Sequence, residues 1–176
     1  MLAACQASSP ASTIIPAASP EPTGDTAVLH AATPVPESCA VTKAVAADDV
    51  PPAVLAVFRQ TTSSSNGTST APPMVGNDAF WTTLPADGSL TKDDKIVSVS
   101  LVDGPFTASA RRIDGNAAPA ALSGPSGTQG GADAPNRRGL HVWGITFSSL
   151  GCWEITQTLT GRTLKHVVWV GVERPR

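Results

Sequence analysis

The C-terminal third of this chain alternates with a period of two, and that pattern dictates extended backbone. Between Cys152 and Leu159 (CWEITQTL), Trp153, Ile155, Gln157 and Leu159 point one way. Cys152, Glu154, Thr156 and Thr158 point the other. A helical period of 3.6 would scatter these two sets around a cylinder. Thr160-Gly161-Arg162 then supplies a short turn, and Thr163 to Val172 (TLKHVVWVGV) reads as a longer strand, so the pair predicts a β-hairpin. Leu140 to Phe147 (LHVWGITF), rich in β-branched and aromatic residues, predicts the strand before it.

Earlier strands are expected at Phe80–Leu84, Lys95–Val102 and Phe106–Ile113, with Val41–Ala46 as an edge strand. Pro85-Ala86-Asp87-Gly88 and Asp103-Gly104-Pro105 are turn sequences, because Gly supplies positive φ and Pro presets its own φ. Val54–Arg59, after Pro51-Pro52, fits a strand or a short helix. Thr61–Pro73 and Asp114–Arg138 read as irregular, with a short strand near Ala120–Leu122. Six or seven short strands with no βαβ rhythm predict an all-β fold. The expected form is a small antiparallel β-sandwich, immunoglobulin-like, over residues 39–176.

Residues 6–38 have a different texture. This Pro/Ser/Thr/Ala tract holds 6 prolines, and no Lys or Arg precedes Lys43. It buries too little apolar surface to offset chain entropy, so a disordered tether is expected. The tract follows Leu2-Ala3-Ala4-Cys5. Those residues resemble a lipobox, the processing site of bacterial lipoproteins, in which the cysteine is acylated. The resemblance implies lipidation at Cys5 and a membrane partner through the acylated residue. Stable attachment takes more than one acyl chain. A signal peptide also needs a basic and an apolar region, absent from residues 1–5, so these are expected to be the remnant of one.

Cys39 and Cys152 remain. In an oxidising compartment they are expected to form a disulfide. Closing a loop of roughly 100 residues contributes about 4.7 kcal/mol in the chain-entropy treatment. The alternative makes Cys152 a nucleophile with His166 as its base; no third orienting group or oxyanion-hole signature accompanies it.

Gly151-Cys152-Trp153-Glu154-Ile155-Thr156, followed by a Gly turn and Leu164–Val170, resembles the C-terminal signature of a poorly characterised group of bacterial envelope proteins. Gly76-Asn77-Asp78-Ala79-Phe80-Trp81-Thr82-Thr83-Leu84 matches that group's Gly-Asn-x-x-x-Trp-x-x-Leu segment, and Ser38-Cys39-Ala40-Val41-Thr42 its Ser-Cys-x-Val-Thr start. The resemblance implies an exported, immunoglobulin-like domain bridged from Cys39 to Cys152, with no known activity. Val97-Ser98-Val99-Ser100 departs from the aromatic-rich strand of the group.

Trp143, Trp153 and Trp169 fall on three successive strands. They read first as a core cluster, and otherwise as an exposed aromatic platform for sugar or peptidoglycan, with Trp153 the most open to the second reading. Trp153 and Trp143, with Arg137 and Arg138, are therefore the candidate ligand-binding residues. The basic doublets Arg111-Arg112 and Arg137-Arg138 could meet anionic headgroups. His30, His141 and His166 are too scattered for a metal motif, so neither metal nor cofactor is expected. Asp48-Asp49 and Asp93-Asp94 read as turn or solvated-edge pairs, and Asn66-Gly67-Thr68 is an acceptor sequon only in a glycosylating host.

Charged residues are 15% of the chain and its net charge is -2, which excludes the basic footprint of a nucleic-acid binder. The expectation is a lipid-anchored, extracytoplasmic binding or structural module of the bacterial cell envelope. Its partner would be an envelope protein or cell-wall polymer. The competing expectation is a cell-envelope enzyme acting on wall sugars or peptides.

Overall fold

A computed structural model describes residues 34–62, 72–126 and 138–172. The lipobox-like residues 2–5, tether residues 6–33, His30, the sequon and Arg137 lie outside the described residues. In chain order the elements are α1 (Pro52–Thr62), β1 (Met74–Gly76), β2 (Phe80–Thr83), β3 (Ser89–Thr91), β4 (Asp93–Ser100) and β5 (Phe106–Arg112). These are followed by β6 (Ala121–Ser126), β7 (Gly139–Thr146), β8 (Gly151–Leu159) and β9 (Arg162–Val172).

The strands form two sheets, β1-β2-β4-β7-β6 and β3-β9-β8-β5. The fold is an all-β sandwich. Its neighbours pair antiparallel, as expected, with one exception at the edge of the second sheet, where the three-residue β3 runs parallel to β9. The β8–β9 hairpin turns at Thr160 and Gly161, both at positive φ (50° and 78°), the twist that suits a two-residue turn between right-twisted strands.

Alternation places the expected residues of β8 inside. Trp153 and Ile155 join Trp143, Ile145, Phe147 and Val168 in the larger apolar cluster, and Leu159 joins Phe80 and Leu164 in a smaller one. Polar side chains lie between the two clusters. Along β8 the inward order is Ile155, Gln157, Leu159; along β9 it is Val168, His166, Leu164. On the facing sheet, Phe80 is followed inward by Thr82. These groups bond to one another: Trp143 Nε1 donates to Ser98 Oγ at 3.0 Å, Ser98 Oγ to Thr82 Oγ1 at 3.0 Å, and Gln157 Nε2 to Thr82 Oγ1 at 3.4 Å. Ser100 Oγ lies 2.6 Å from His141 Nε2, and Phe106 stacks on the same imidazole with centroids 5.8 Å apart.

Helix α1 settles the choice left open at Val54–Arg59. Pro52 occupies its first position, where a missing N–H costs nothing, and the N–H groups of Val54 and Leu55 bond to the Pro51 carbonyl. Val50 and Val54 then cover the outer face of the first sheet at Met74 and Val99. The segment Val41–Ala46 is no regular strand. Thr42 exchanges hydrogen bonds with Val167 of β9, and Val45 bridges Met74 of β1, so the segment stitches one sheet to the other.

Candidate functional site

The structure contains a Cys39–Cys152 disulfide, with the two Cα atoms 5.7 Å apart. Cys152 faces away from the core, yet is only 1% exposed because the N-terminal segment lies over it. Trp153, its neighbour, therefore points inward. This corrects the candidate platform: Trp153 is 0% and Trp143 is 2% exposed, so neither forms part of an exposed aromatic face, and Trp143 instead borders a hollow of about 270 Å³ with Phe106, Ala108 and Leu122. Trp153 Nε1 instead donates to the Ser149 carbonyl at 3.2 Å, and its ring meets Phe147 at 5.2 Å. Arg138 is exposed at the start of β7, where its backbone N–H donates to Asp103 Oδ1 at 2.7 Å.

The sequence motifs also resolve into packing. Asn77 Oδ1 accepts from the N–H groups of Ala79 and Phe80 and closes the β1–β2 turn. Gly76 pairs with Trp81, and a Cβ on Gly76 would stand 2.3 Å from the indole, so only glycine lets the ring lie across the strand. Glu154 bonds Arg111 at 3.0 Å on the outer face of the second sheet, and Arg112 bonds Asp114 at 2.6 Å. The interaction with Arg112 holds the Asp114 carboxyl below the usual carboxylate range. Both arginines of the first basic doublet are thus engaged with carboxylates.

Four polar groups bear on a catalytic reading: Asp93, Glu154, His141 and His166. Asp93 is exposed at the start of β4, Glu154 lies on the opposite sheet's outer face, and both histidines are buried in the interior. His166 cannot serve as a base for Cys152, whose sulfur is bonded to Cys39. Burial pushes His166 down to about 4, and neither of its ring nitrogens has a hydrogen-bond partner among the described residues. No group of three or more His, Cys, Asp or Glu that could hold a metal occurs among the described residues.

Trp169 is different from the two buried tryptophans. It is half-buried on the outer face of β9 and borders a groove of about 450 Å³. That volume falls in the ~300–1,000 Å³ range of small-molecule sites. Pro34 and Val35, just ahead of the disulfide, contribute apolar lining together with Pro85 and Leu90. The rim is polar: Asp87, Ser89, Thr91 and Asp94.

Local sequence fixes each of these groups. Pro85-Ala86-Asp87-Gly88 forms the expected turn, closed by the Gly88 N–H to the Pro85 carbonyl at 2.8 Å. Gly88 has φ +69°, and a Cβ there would come 2.8 Å from Val41 Cβ, displacing the N-terminal segment. The Gly88 carbonyl accepts the Trp169 N–H at 2.9 Å, and Ser89 stands beside Trp169 in the parallel β3–β9 register. Asp87 accepts from the Ser89 N–H at 3.0 Å and the Ser89 hydroxyl at 2.7 Å; these bonds pull its pKa down. Asp94 Oδ2 accepts from the Thr91 N–H at 3.1 Å and lies 3.2 Å from the Thr91 hydroxyl, whose proton goes to the Asp93 carbonyl at 2.7 Å, while Asp94 Oδ1 accepts the Lys95 N–H at 2.8 Å. Asp87 keeps lone pairs for further donors.

Residue types alone pointed to Trp169 as a possible platform, but not to its partners. They come from the tether end, a turn, two strands and the strand that follows β3, and only the tertiary fold assembles them.

No protein-family profile matches the chain, and no curated protein matches it. The chain is similar to a solved structure described as a candidate lipoprotein from Bacillus anthracis, with 14% identity over 69% of this chain and 96% of that one, at a TM-score of 0.35. Similarity at that level identifies neither a family nor a function.

Proposed function

We propose that this chain is a binding module of the bacterial cell envelope, held to a membrane through acylated Cys5, facing the extracytoplasmic side and taking its ligand in the Trp169 groove. The observation that carries the reading is the groove itself. It combines an aromatic wall, apolar flanks and a hydrogen-bonding rim, the composition of a ligand site rather than of a solvated face. The disulfide supports an oxidising address. The lipobox-like Leu2–Cys5 and the proline-rich tract support anchoring and display.

An immunoglobulin-like connectivity is part of the same reading. The strand orders β2-β4-β7-β6 and β9-β8-β5 follow the ABED and GFC orders of that fold. The bridge departs from the usual inter-sheet position, because Cys39 precedes the first strand.

Binding is favoured over catalysis by the state of Asp87. A glycosidase-type acid needs a raised pKa to hold its proton near neutral pH. Asp87 is shifted the other way by its bonds to Ser89.

Two measurements test the reading. Detergent partitioning of the full-length protein should move from the detergent phase to the aqueous phase on Cys5→Ser; unchanged partitioning would sink the anchor. Co-sedimentation with isolated cell-wall sacculi should fall on Trp169→Ala, with no soluble product released. Sedimentation indifferent to Trp169 removes the groove as the site, and release of sugar or peptide fragments replaces the module with an enzyme.

A further inference from the structure

The geometry points to a neutral saccharide as the ligand of the Trp169 groove, an assignment that rests on the groove being the binding site. The chemistry of the lining narrows the choice. Ionised Asp87 offers acceptors and no donor, and Asp94 adds a second carboxyl group at the rim. The ligand must therefore supply O–H or N–H donors of its own. The hydroxyls of Ser89 and Thr91 are committed as donors, to Asp87 Oδ2 and to the Asp93 carbonyl at 2.7 Å each, and keep acceptor capacity toward the groove. A rim of acceptors matches a polyol.

The wall matches the other half of a sugar. A pyranose ring presents a patch of C–H bonds on one face, and the negative face of an indole attracts their positive ends. Trp169 is held for such a contact. Its backbone is tied to Gly88, and directly across β8–β9 stands Cys152, which the disulfide immobilises. A backbone held in place before binding loses little entropy when a ligand arrives. Pro34 and Val35 add apolar lining to the same groove.

Charge decides among saccharides. Two acidic side chains and no basic one line the groove among the described residues, so an acidic sugar or a phosphate-bearing polymer meets repulsion. A cationic sugar has no strong preference either. Lys95 borders the adjoining hollow, which shares Asp94, Pro85 and Leu90 with the groove, and Lys92 separates Thr91 from Asp93. Lys95 thus offsets part of the negative charge at the Asp94 end from outside the groove.

Calorimetric titration of the full-length protein in detergent micelles tests this with three probes: N-acetylated chitin oligosaccharides (neutral), their deacetylated forms (cationic) and oligogalacturonate (anionic). The neutral oligosaccharide should bind, and Trp169→Ala should weaken it roughly tenfold, a loss equivalent to ~1.4 kcal/mol. Trp169→Phe, which keeps an aromatic face, should retain most of the affinity and guards against a folding artefact. Asp87→Asn should weaken the neutral ligand a few-fold. Equal or tighter binding of the anionic probe overturns the assignment, as does a cationic probe that binds far more tightly and only at low salt. If sacculi still bind through Trp169 but no neutral oligosaccharide does, the saccharide assignment falls and the groove remains the binding site. If sacculi binding ignores Trp169, both fall.

Discussion

Cys152 and Trp169 face each other across the β8–β9 pairing, so the disulfide and the groove's aromatic wall are neighbours on one outer sheet face. The covalent link therefore does two things. It closes a 113-residue separation, and it fixes the segment bearing Pro34 and Val35 beside the indole.

Breaking that link should cost stability and the site together. Cys39→Ala with Cys152→Ala is expected to destabilise the domain by about 2–5 kcal/mol, the usual range for a native bridge in a small exported domain. Urea unfolding followed by far-UV circular dichroism measures this. Limited proteolysis of the still-folded variant should cut ahead of Thr42, where the intact protein resists.

Trp153 makes a sharp contrast with Trp169, for it is buried between the sheets whereas Trp169 is half-buried on the outer face of β9. Trp153→Ala empties a fully buried site beside Phe147 and should cost about 3–5 kcal/mol. Trp169→Ala should change the unfolding midpoint far less. A Trp169 variant as unstable as the Trp153 variant would show that the half-buried ring serves packing alone.

Gly76 and Trp81 form a lock that one methyl group would break. Gly76→Ala forces the indole off the strand and is expected to destabilise by about 1–3 kcal/mol. A Gly76→Ala/Trp81→Ala pair should lose less than the sum of the two single changes, which a double-mutant cycle on chemical denaturation reads directly.

His166 gives the domain an acid sensitivity. Its folded pKa, about 4, lies below the ordinary value of 6.5, so the unfolded chain binds a proton first as pH falls. Stability is complete above pH 6.5, declines between 6.5 and 4, and levels off below that for this group. The full loss is on the order of 3 kcal/mol. Urea midpoints taken from pH 7.5 to 4 should show the decline, and His166→Leu should flatten it. An unchanged slope in that variant would place the titration elsewhere.

Much of the sheet architecture was legible because alternation survives in long strands. β8 and β9 stand out over nine and eleven residues. β1 and β3, of three residues each, are too short to carry a period. The direction of Trp153 was less legible. Its neighbour Cys152 faces the other side of the sheet and is buried there by a piece of chain more than a hundred residues away. That cover also builds the groove, which explains why Pro34, Asp87, Asp94 and Trp169 show no common spacing. The polar band through Thr82, Ser98, Gln157 and His166 was visible as residues and invisible as a layer, since each strand contributes a single member or two.

The stitching segment has a mechanical side. A load arriving from residues before Cys39 passes through the sulfur–sulfur bond into β8, which is flanked by β9 and β5 on either side. The hydrogen bonds of Thr42 and Val45 sit inside the closed loop and carry none of that tension. A pull on the chain ahead of Cys39 is thus resisted by covalent chemistry and a central strand, while the chain between the two cysteines stays slack.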